Sequence, residues 1–153
     1  MAGTLLEGLS RYLGEEELAR LAAPRIGFAG CGGIGSNAAL MLARSGVRRF
    51  LLVDHDTVDA SNLNRQQFMP RVGRPKAEAL RDRLLELDPE LDVDARVKKL
   101  TEQNADRYVP LADIWVEAFD APECKRFLVE RVMMAGKHVV SASGLGGWGG
   151  PPM

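Results

Sequence analysis

A glycine-rich turn between an apolar run and a helix-forming segment constrains this chain most. The run RIGFAG (Arg25–Gly30) is typical of a buried strand, and IGSNAALMLARSG (34–46) predicts a helix that ends at a glycine. Between them, GCGGIG (Gly30–Gly35) fits the pattern G-x-G-x-x-G. Glycines in such a turn let the backbone approach a phosphate closely, and the N-terminus of the helix then faces the phosphate charge.

A carboxylate follows the turn at the spacing that nucleotide binding needs. The second apolar run, RFLLVD (Arg49–Asp54), ends in Asp54. It lies about twenty residues beyond the turn, where a carboxylate can bond ribose hydroxyls. The alternative is a glycine turn that only lets helix and sheet pack closely. Because strand, turn, helix and acid occur in register, we expect a nucleotide site, and this motif alone leaves NAD open as the ligand.

Strands and helices alternate along the rest of the chain. This order predicts an α/β fold, Rossmann-like, with a mostly parallel sheet and helices on both faces, preceded by an amphipathic N-terminal helix for which Ser10 is a candidate N-cap. We expect three segments: an N-terminal helical segment, the nucleotide-binding domain and a Gly/Pro-rich, truncated tail, at residues 1–24, 25–147 and 148–153. Further strands are predicted at 91–97, 113–119 and 138–143.

Composition excludes several other classes of protein. The 153 residues suffice for one domain, and the net charge of −1 favours neither nucleic acid nor a membrane surface as a partner. No apolar run approaches the length of a membrane span, and the N-terminus lacks the order of a signal peptide. The two cysteines form no CxxC pair. We therefore expect a soluble, cytoplasmic protein.

A polar loop after the second strand carries the sharper signal. Residues 55–74 show no helical or strand period, and they contain SNLNRQQF (Ser61–Phe68). Such a long loop in a compact domain is usually functional, and it starts where open α/β sheets bind ligands. Arg65 among amides, with Lys76 at the start of the next helix, suits a triphosphate better than a single pyrophosphate. The alternative is that Arg65 is an exposed surface charge and Lys76 a solvated helix residue.

A triphosphate also requires magnesium, which one or two carboxylates can hold. The segment WVEAFDAPECK offers Glu117 and Asp120 at the end of the fourth predicted strand. Asp120 could equally be the N-cap of the helix that follows. Both roles stay open at this point.

Other chemically distinctive residues favour structural roles. We interpret Cys31 as a small residue in a crowded turn, the alternative being a thiol activated by the helix N-terminus. We interpret Cys124 as a helix residue and not as a catalytic cysteine. His55 is expected at the surface, His138 at a strand edge and Trp115 in the core. Met133 and Met134 are expected to pack the last helix. Trp148 either covers a ligand or folds back on the sheet.

Taken together, these segments resemble the ThiF/MoeB/HesA family, bacterial relatives of ubiquitin-activating enzymes. The matching segments are FAGCGGIGSN, LLVDHDTVDASNLNRQQF, GRPKAEAL and EAFD, in that order. The residues EAFD are most similar to those of the short ThiF branch. The resemblance implies catalytic roles for Arg65, Lys76 and Asp120, with Asp120 holding Mg²⁺. It implies ATP binding by the glycine turn, the carboxylates after the second strand and the polar loop: Gly30, Gly32, Gly33, Gly35, Ser36, Asp54, Asp56, Ser61, Asn62, Asn64, Arg65 and Lys76.

The resemblance also implies a reaction and partners. The expected reaction is ATP-dependent adenylylation of the C-terminal Gly-Gly carboxylate of a ubiquitin-like, ThiS-like sulfur carrier protein, with release of pyrophosphate, in thiamine or related cofactor biosynthesis. Family members pair as homodimers. Here SRYLGEE offers Arg11 without the second arginine that many members carry, and the longer members' CxxC pairs are missing from these residues. The alternatives are a truncated nucleotide-binding or carrier-docking module without catalysis, and an NAD-dependent oxidoreductase.

Overall fold

The structure is a computed structural model that describes residues 4–68 and 71–142. The predicted tail 148–153 and Trp148 lie outside these residues, so the expectations for them stay predictions. Within the described ranges, no helix combines the length and the apolar character needed to cross a membrane.

Five parallel strands form one sheet in the order β3-β2-β1-β4-β5. The strands are β1 (Arg25–Ala29), β2 (Arg49–Asp54), β3 (Asp92–Val97), β4 (Ile114–Glu117) and β5 (His138–Ser141). The order reverses between β1 and β4, which pair directly with Ile26 opposite Ile114. In open α/β sheets ligands bind beyond the carboxyl ends of the strands at such a reversal, so the fold places the site there.

Six helices accompany the sheet in the described part of the chain. They are α1 (Leu5–Leu9), α2 (Glu15–Ala22), α3 (Gly33–Arg44), α4 (Lys76–Leu87), α5 (Ala105–Tyr108) and α6 (Pro122–Met134), with 3₁₀ turns at Ala60–Asn62 and Val109–Leu111. As predicted, α3 is followed by a glycine in the left-handed region, Gly46 at φ 111°. The α/β prediction is therefore confirmed, with a sheet that is wholly parallel over its described strands.

Alternating residues of the strands pack into two separate hydrophobic cores, one on each face of the sheet. Phe28 and Phe50 face α3 and α4, and their rings stack at a centroid distance of 6.2 Å. Leu51 and Trp115 face the opposite side, where they pack with Leu128 of α6. Each fully buried apolar side chain of this size contributes roughly 1.5–3 kcal/mol. The two cores confirm helices on both faces and the predicted core position of Trp115.

The predicted N-terminal helix is present, but its limits and its cap differ from the prediction. The segment contains two short helices, and Ser10 is the C-cap of α1 instead of an N-cap. Thr4 caps α1 through a capping box with Glu7, while Gly14 is the N-cap of α2, with its amide bonded to the carboxylate of Glu17. At the start of each helix, the amide of the N-cap residue thus donates to a glutamate carboxylate three residues further along the chain. These two separate caps divide the segment into two helices.

The end of α6 also differs from expectation. Met133 and Met134 do not pack against the core, since Met134 is 81 % exposed. The buried residues of α6 are Leu128 and Val132, four positions apart. The two methionines lie beyond the stripe that faces the sheet, so sequence hydrophobicity alone misplaced them.

Charged side chains at the amino edge of the sheet tie three strands together. Asp92 of β3 accepts hydrogen bonds from Arg25 of β1 at 2.6 Å and from Arg49 of β2 at 3.5 Å. The Arg25 guanidinium, with a smaller effect of Arg49, holds the pKa of Asp92 below its usual range. A lowered carboxyl pKa stabilises the fold above the unfolded-state pKa, and this contribution disappears as the pH falls through the folded-state pKa.

We expect Asp92→Asn to lower the free energy of unfolding at pH 7 by up to about 1 kcal/mol, because these exposed pairs are screened by solvent. The variant should also lose less stability than the wild type as the pH falls below about 4. Urea unfolding at pH 7 and pH 3 measures both effects. Asp94→Asn is the control, since Asp94 pairs with Arg96 of its own strand. Equal pH dependence in Asp92→Asn and wild type would contradict the prediction.

Candidate active site

A cleft of about 690 Å³ opens at the carboxyl edge of the sheet, at the reversal between β1 and β4. Its volume is typical of small-molecule sites. The glycine turn, the loop after β2, the start of α4, and the segments after β3, β4 and β5 all contribute to its walls. Of the predicted site residues, the structure brings these together at the cleft: Gly30, Gly32, Gly33, Asp54, Asp56, Arg65, Lys76 and Asp120.

Two glycines allow the backbone to form the base of the cleft. Gly30 adopts φ 97°, and a Cβ on it would lie 2.7 Å from the carbonyl oxygen of Ala118. A Cβ on Gly35 would overlap the carbonyl oxygen of Gly30. The first turn of α3 therefore lies directly against the end of β1, and its free amides face the cleft.

The carboxylate of Asp54 is buried and fixed. It is 8 % exposed, and it accepts hydrogen bonds from the amide of Cys31 at 2.7 Å and from the amide of Asp56 at 2.8 Å. One oxygen thus binds the glycine turn and the other binds the loop after β2. The remaining lone pairs are available to hydroxyl groups in the cleft, the geometry that ribose recognition requires.

Arg65 lies above the glycine turn. Its side-chain carbons are 3.7 Å from the position that a Cβ on Gly33 would take. The guanidinium donates to the carbonyl of Ser61 at 3.0 Å and to Oδ1 of Asn64 at 2.9 Å. Among the described residues no carboxylate lies within 4.0 Å of it. Its charge is therefore oriented by neutral oxygens and not neutralised.

The polar loop is attached to α3 through amides. Asn37 donates to the carbonyls of Gly33 at 2.6 Å and Arg65 at 2.8 Å, and it accepts from Nε2 of Gln67 at 2.9 Å. Gln66 is 8 % exposed, and its Oε1 is buried without a hydrogen-bond partner among the described residues. An unpartnered buried amide that lines the cleft suits a ligand group there.

Five predicted ligands of the nucleotide, Gly35 among them, are not part of the cleft wall. The buried hydroxyl of Ser36 donates to the carbonyl of Gly32 at 2.6 Å, and Oδ1 of Asn62 accepts from the amide of Asp59 at 2.9 Å. Ser61 and Asn64 orient Arg65 through their oxygens. Their direct contact with a nucleotide stays a prediction, and in this structure they support the turn and the loop.

Lys76 is buried, against the alternative of a solvated helix residue. It is 9 % exposed at the first position of α4, and its ammonium is 3.9 Å from a carboxylate oxygen of Asp56. The amide of Lys76 donates to the carbonyl of Asp56, which holds the start of α4 beside β2. A buried lysine with one exposed, distant partner is suited to an anionic ligand.

The two carboxylates at the end of β4, Glu117 and Asp120, differ completely in their surroundings. Glu117 is 0 % exposed and fully hydrogen-bonded inside the protein, which excludes it as an open metal ligand. Asp120 is exposed, lines the cleft and makes no hydrogen bond or ion pair with another described residue. The N-cap of α6 is Ala121, so the capping alternative for Asp120 is wrong. One free carboxylate facing a phosphate cleft fits Mg²⁺, which takes its other ligands from phosphates and water.

Two adjacent lysines that were not predicted as site residues also line the cleft. Lys98 and Lys99 follow β3 directly and line the cleft beside the buried Leu100. The rule that located Asp54 and Asp120, polar residues immediately after a predicted strand, applied equally to them. Asn37, one turn into α3, was missed because its role depends on the loop folding back onto the helix.

The thiols and the histidine agree with structural roles. Burial, together with the negative charge of Asp54, raises the pKa of the Cys31 thiol well above its ordinary value. Cys124 lies on α6 and lines the cleft. His55 is exposed, with its imidazole 3.3 Å from Asp56. The donor atoms of Asp54, His55 and Asp56 lie within 4.8 Å of one another, an acidic group of the kind common on protein surfaces.

Comparison with known proteins gives the family. Residues 6–152 match the model of the ThiF family. The tRNA threonylcarbamoyladenosine dehydratase of Bacillus subtilis is 35% identical over 86% of this chain and 53% of its own. The adenylyltransferase and sulfurtransferase UBA4 of Candida glabrata is 33% identical over 93% of this chain and 33% of its own. This chain thus spans about half or less of the length of these relatives.

Solved structures agree with the sequence comparison. The E. coli tRNA N6-threonylcarbamoyladenosine dehydratase TcdA in complex with AMP superposes with a TM-score of 0.86 at 32% identity, over 94% of this chain and 60% of that one. E. coli MccB with ATP gives a TM-score of 0.76 at 28% identity, over 82% of this chain and 39% of that one. The fold that this chain shares with these structures, together with the family match over residues 6–152, identifies it as a member of the ThiF family.

Proposed function

We propose that this chain binds MgATP in the cleft and activates a substrate carboxylate by adenylylation. The observation that carries the proposal is the pair of cations above the glycine turn, Arg65 without a carboxylate partner and Lys76 buried. A triphosphate supplies negative charge to Arg65 and to Lys76, whose carboxylate partner Asp56 is exposed and 3.9 Å away. Crystal structures of similar proteins with AMP and with ATP support the binding of an adenine nucleotide.

The chemistry follows from charge and position. An oxygen of the substrate carboxylate attacks the α-phosphorus, the bond from that phosphorus to the bridging oxygen breaks, and pyrophosphate leaves with the bonding pair. No proton has to be removed, so the protein acts by orienting ATP and stabilising charge. Arg65 and Lys76 balance the charge on the departing pyrophosphate, and Asp54 holds the ribose. Asp120 would hold Mg²⁺, which supplies further neutralisation of the phosphates.

An NAD-dependent oxidoreductase, the competing enzyme class, explains fewer of these features. It uses the glycine turn and Asp54 equally well, but it assigns no role to the uncompensated charge of Arg65 or to the free carboxylate of Asp120. A docking module without catalysis would keep the cleft and lack exchange activity. A measurement of ATP–pyrophosphate exchange therefore separates a docking module from the proposed enzyme.

The first candidate for the acyl substrate is the C-terminal Gly-Gly carboxylate of a ubiquitin-like sulfur carrier, with a ThiS-like protein as the initial choice. The family resemblance and relatives described as adenylyltransferase and sulfurtransferase support a carrier. The assignment to thiamine biosynthesis rests on the resemblance to the short ThiF branch alone. Pairing as a homodimer has the same basis and remains a prediction.

A second candidate is a modified tRNA. Relatives from Bacillus subtilis and E. coli are described as dehydratases of tRNA threonylcarbamoyladenosine. The threonylcarbamoyl group ends in a carboxylate, so loss of water from it also requires activation of that carboxylate. Both candidates present the same functional group to the same cleft.

Replacing Arg65 or Asp120 should strongly slow ATP–pyrophosphate exchange. We expect Arg65→Ala and Asp120→Ala each to slow ATP–pyrophosphate exchange by roughly 10²–10³-fold, about 3–4 kcal/mol of transition-state stabilisation. Arg44→Ala is the matched control, since Arg44 is an exposed arginine at the far end of α3. Exchange with radiolabelled pyrophosphate measures the rates. Near-normal rates in both cleft variants would refute their assigned roles.

MgATP should protect one of the two cysteines from alkylation. Cys124 lines the cleft and is accessible, whereas Cys31 is fully buried with a raised pKa. We expect iodoacetamide to label Cys124 in the native protein, more slowly with MgATP present, and to label Cys31 only after denaturation. Mass spectrometry of the two peptides measures both rates, with Cys31 as the internal control. A labelling rate of Cys124 unchanged by saturating MgATP would place the nucleotide elsewhere.

The two substrate candidates are separable in one exchange assay. A carrier with an intact Gly-Gly terminus is compared with the same carrier lacking its last glycine, and tRNA bearing threonylcarbamoyladenosine with unmodified tRNA. We expect exchange above background with the intact carrier only. Exchange stimulated by the modified tRNA and not by the carrier would favour the second candidate and overturn the first.

A further inference from the structure

The buried carboxylate of Glu117 shapes the turn that presents Asp120. Glu117 is the last residue of β4 and is fully buried. Its Oε1 accepts from the amide of Phe119 at 2.7 Å, and its Oε2 accepts from the hydroxyl of Ser141 at 2.6 Å. The carboxylate therefore folds the chain back immediately after β4 and joins that turn to the end of β5.

Lys125 provides the positive charge beside this carboxylate. Its ammonium donates to both oxygens of Glu117, at 3.1 and 3.2 Å, and to the carbonyl of Ala142 at 2.7 Å. All three bonds of an ammonium are thereby used. Lys125 lies one turn into α6, so a single group connects β4, α6 and the residue that follows β5.

Asp120 has no other means of orientation. Its side chain bonds to no described residue, and α6, whose N-cap is Ala121, has no side-chain cap. Its position is set by the backbone of the turn, through the bond from Phe119 to Glu117 and the bond from Ala118 to the carbonyl of Ala29. The Ala118 bond fixes the start of the turn, and the Glu117 carboxylate fixes its end.

We propose that Lys125 is a positioning residue for Asp120 and for the β4–β5 wall of the cleft. Through Glu117 and Ala142 it holds in place the two segments that face the site from that side, both of which line the cleft. The role of Asp120 in holding Mg²⁺ rests on the proposed function, whereas the ordering of the turn does not depend on it.

A purely structural ion pair is the competing explanation. Removing one partner of a buried pair destabilises a protein wherever the pair lies, so stability cannot separate the two explanations. Lys137 offers a matched control. Its ammonium also donates to a backbone carbonyl, that of Ala112 at 2.7 Å, but at the opposite, amino edge of the sheet. Lys137→Met removes a comparable bond without touching the cleft.

The test compares Lys125→Met and Lys137→Met below their unfolding temperatures. Hydrogen exchange of the amides of residues 118–121 should be faster in Lys125→Met and unchanged in Lys137→Met. The Mg²⁺ concentration needed for half-maximal ATP binding should rise by roughly 10–100-fold in Lys125→Met alone, as expected for residues that orient a metal ligand. If Lys125→Met does not fold, Glu117→Gln with Lys125→Met removes both charges together and is held to the same two criteria.

Two negative results have different meanings. Equal exchange of the turn amides and equal Mg²⁺ dependence in the Lys125 and Lys137 variants would overturn the positioning role. Wild-type protein that binds ATP without any dependence on Mg²⁺ would instead refute the proposed role of Asp120, and the exchange comparison would still decide the role of Lys125.

Discussion

The contact between the end of β1 and the first turn of α3 is the constraint on which the site depends. Gly30 and Gly35 lack the side chains that would separate the two, and Gly30 also lies against the carbonyl of Ala118 after β4. Three backbone segments thus meet at one point, beside the reversal of strand order. Any Cβ at Gly35 would push α3 away from β1, and the amide of Cys31 would lose its fixed distance to Asp54.

Charge compensation separates the structural ions from the functional ones. Arg71 and Arg74, which the sequence places in the same basic loop as Arg65, pair with Glu86 and Asp82 of α4. Glu117 is compensated by Lys125. Among the described residues, the exposed charges at the cleft that have no ion-pair partner are the cations of Arg65, Lys98 and Lys99 and the anion of Asp120. Uncompensated charges of both signs suit a ligand that brings both phosphates and a divalent cation.

Local rules predicted the parts of this site that depend on local sequence. Asp54 and the glycine turn were predictable because strand, turn and helix follow one another directly. The burial of Glu117 was not predictable in this way. Its carboxylate is satisfied by Lys125 and Ser141, which lie 8 and 24 residues further along the chain. The support that Asn37 gives to the polar loop is equally non-local, at 28 residues from Arg65. Hydrophobicity likewise could not show that Met133 lies beyond the face of α6 that meets the sheet.

The proposed cleft selects a triphosphate with magnesium over a dinucleotide. Calorimetric titration of the wild-type protein with MgATP, with ATP in the presence of EDTA and with NAD⁺ tests this selectivity. We expect binding of MgATP, weaker binding without the metal and no heat of binding with NAD⁺. Binding of NAD⁺ with an affinity equal to or above that of MgATP would contradict it: the glycine turn would then serve a dinucleotide, and the interpretation of Arg65, Lys76 and Asp120 would be wrong.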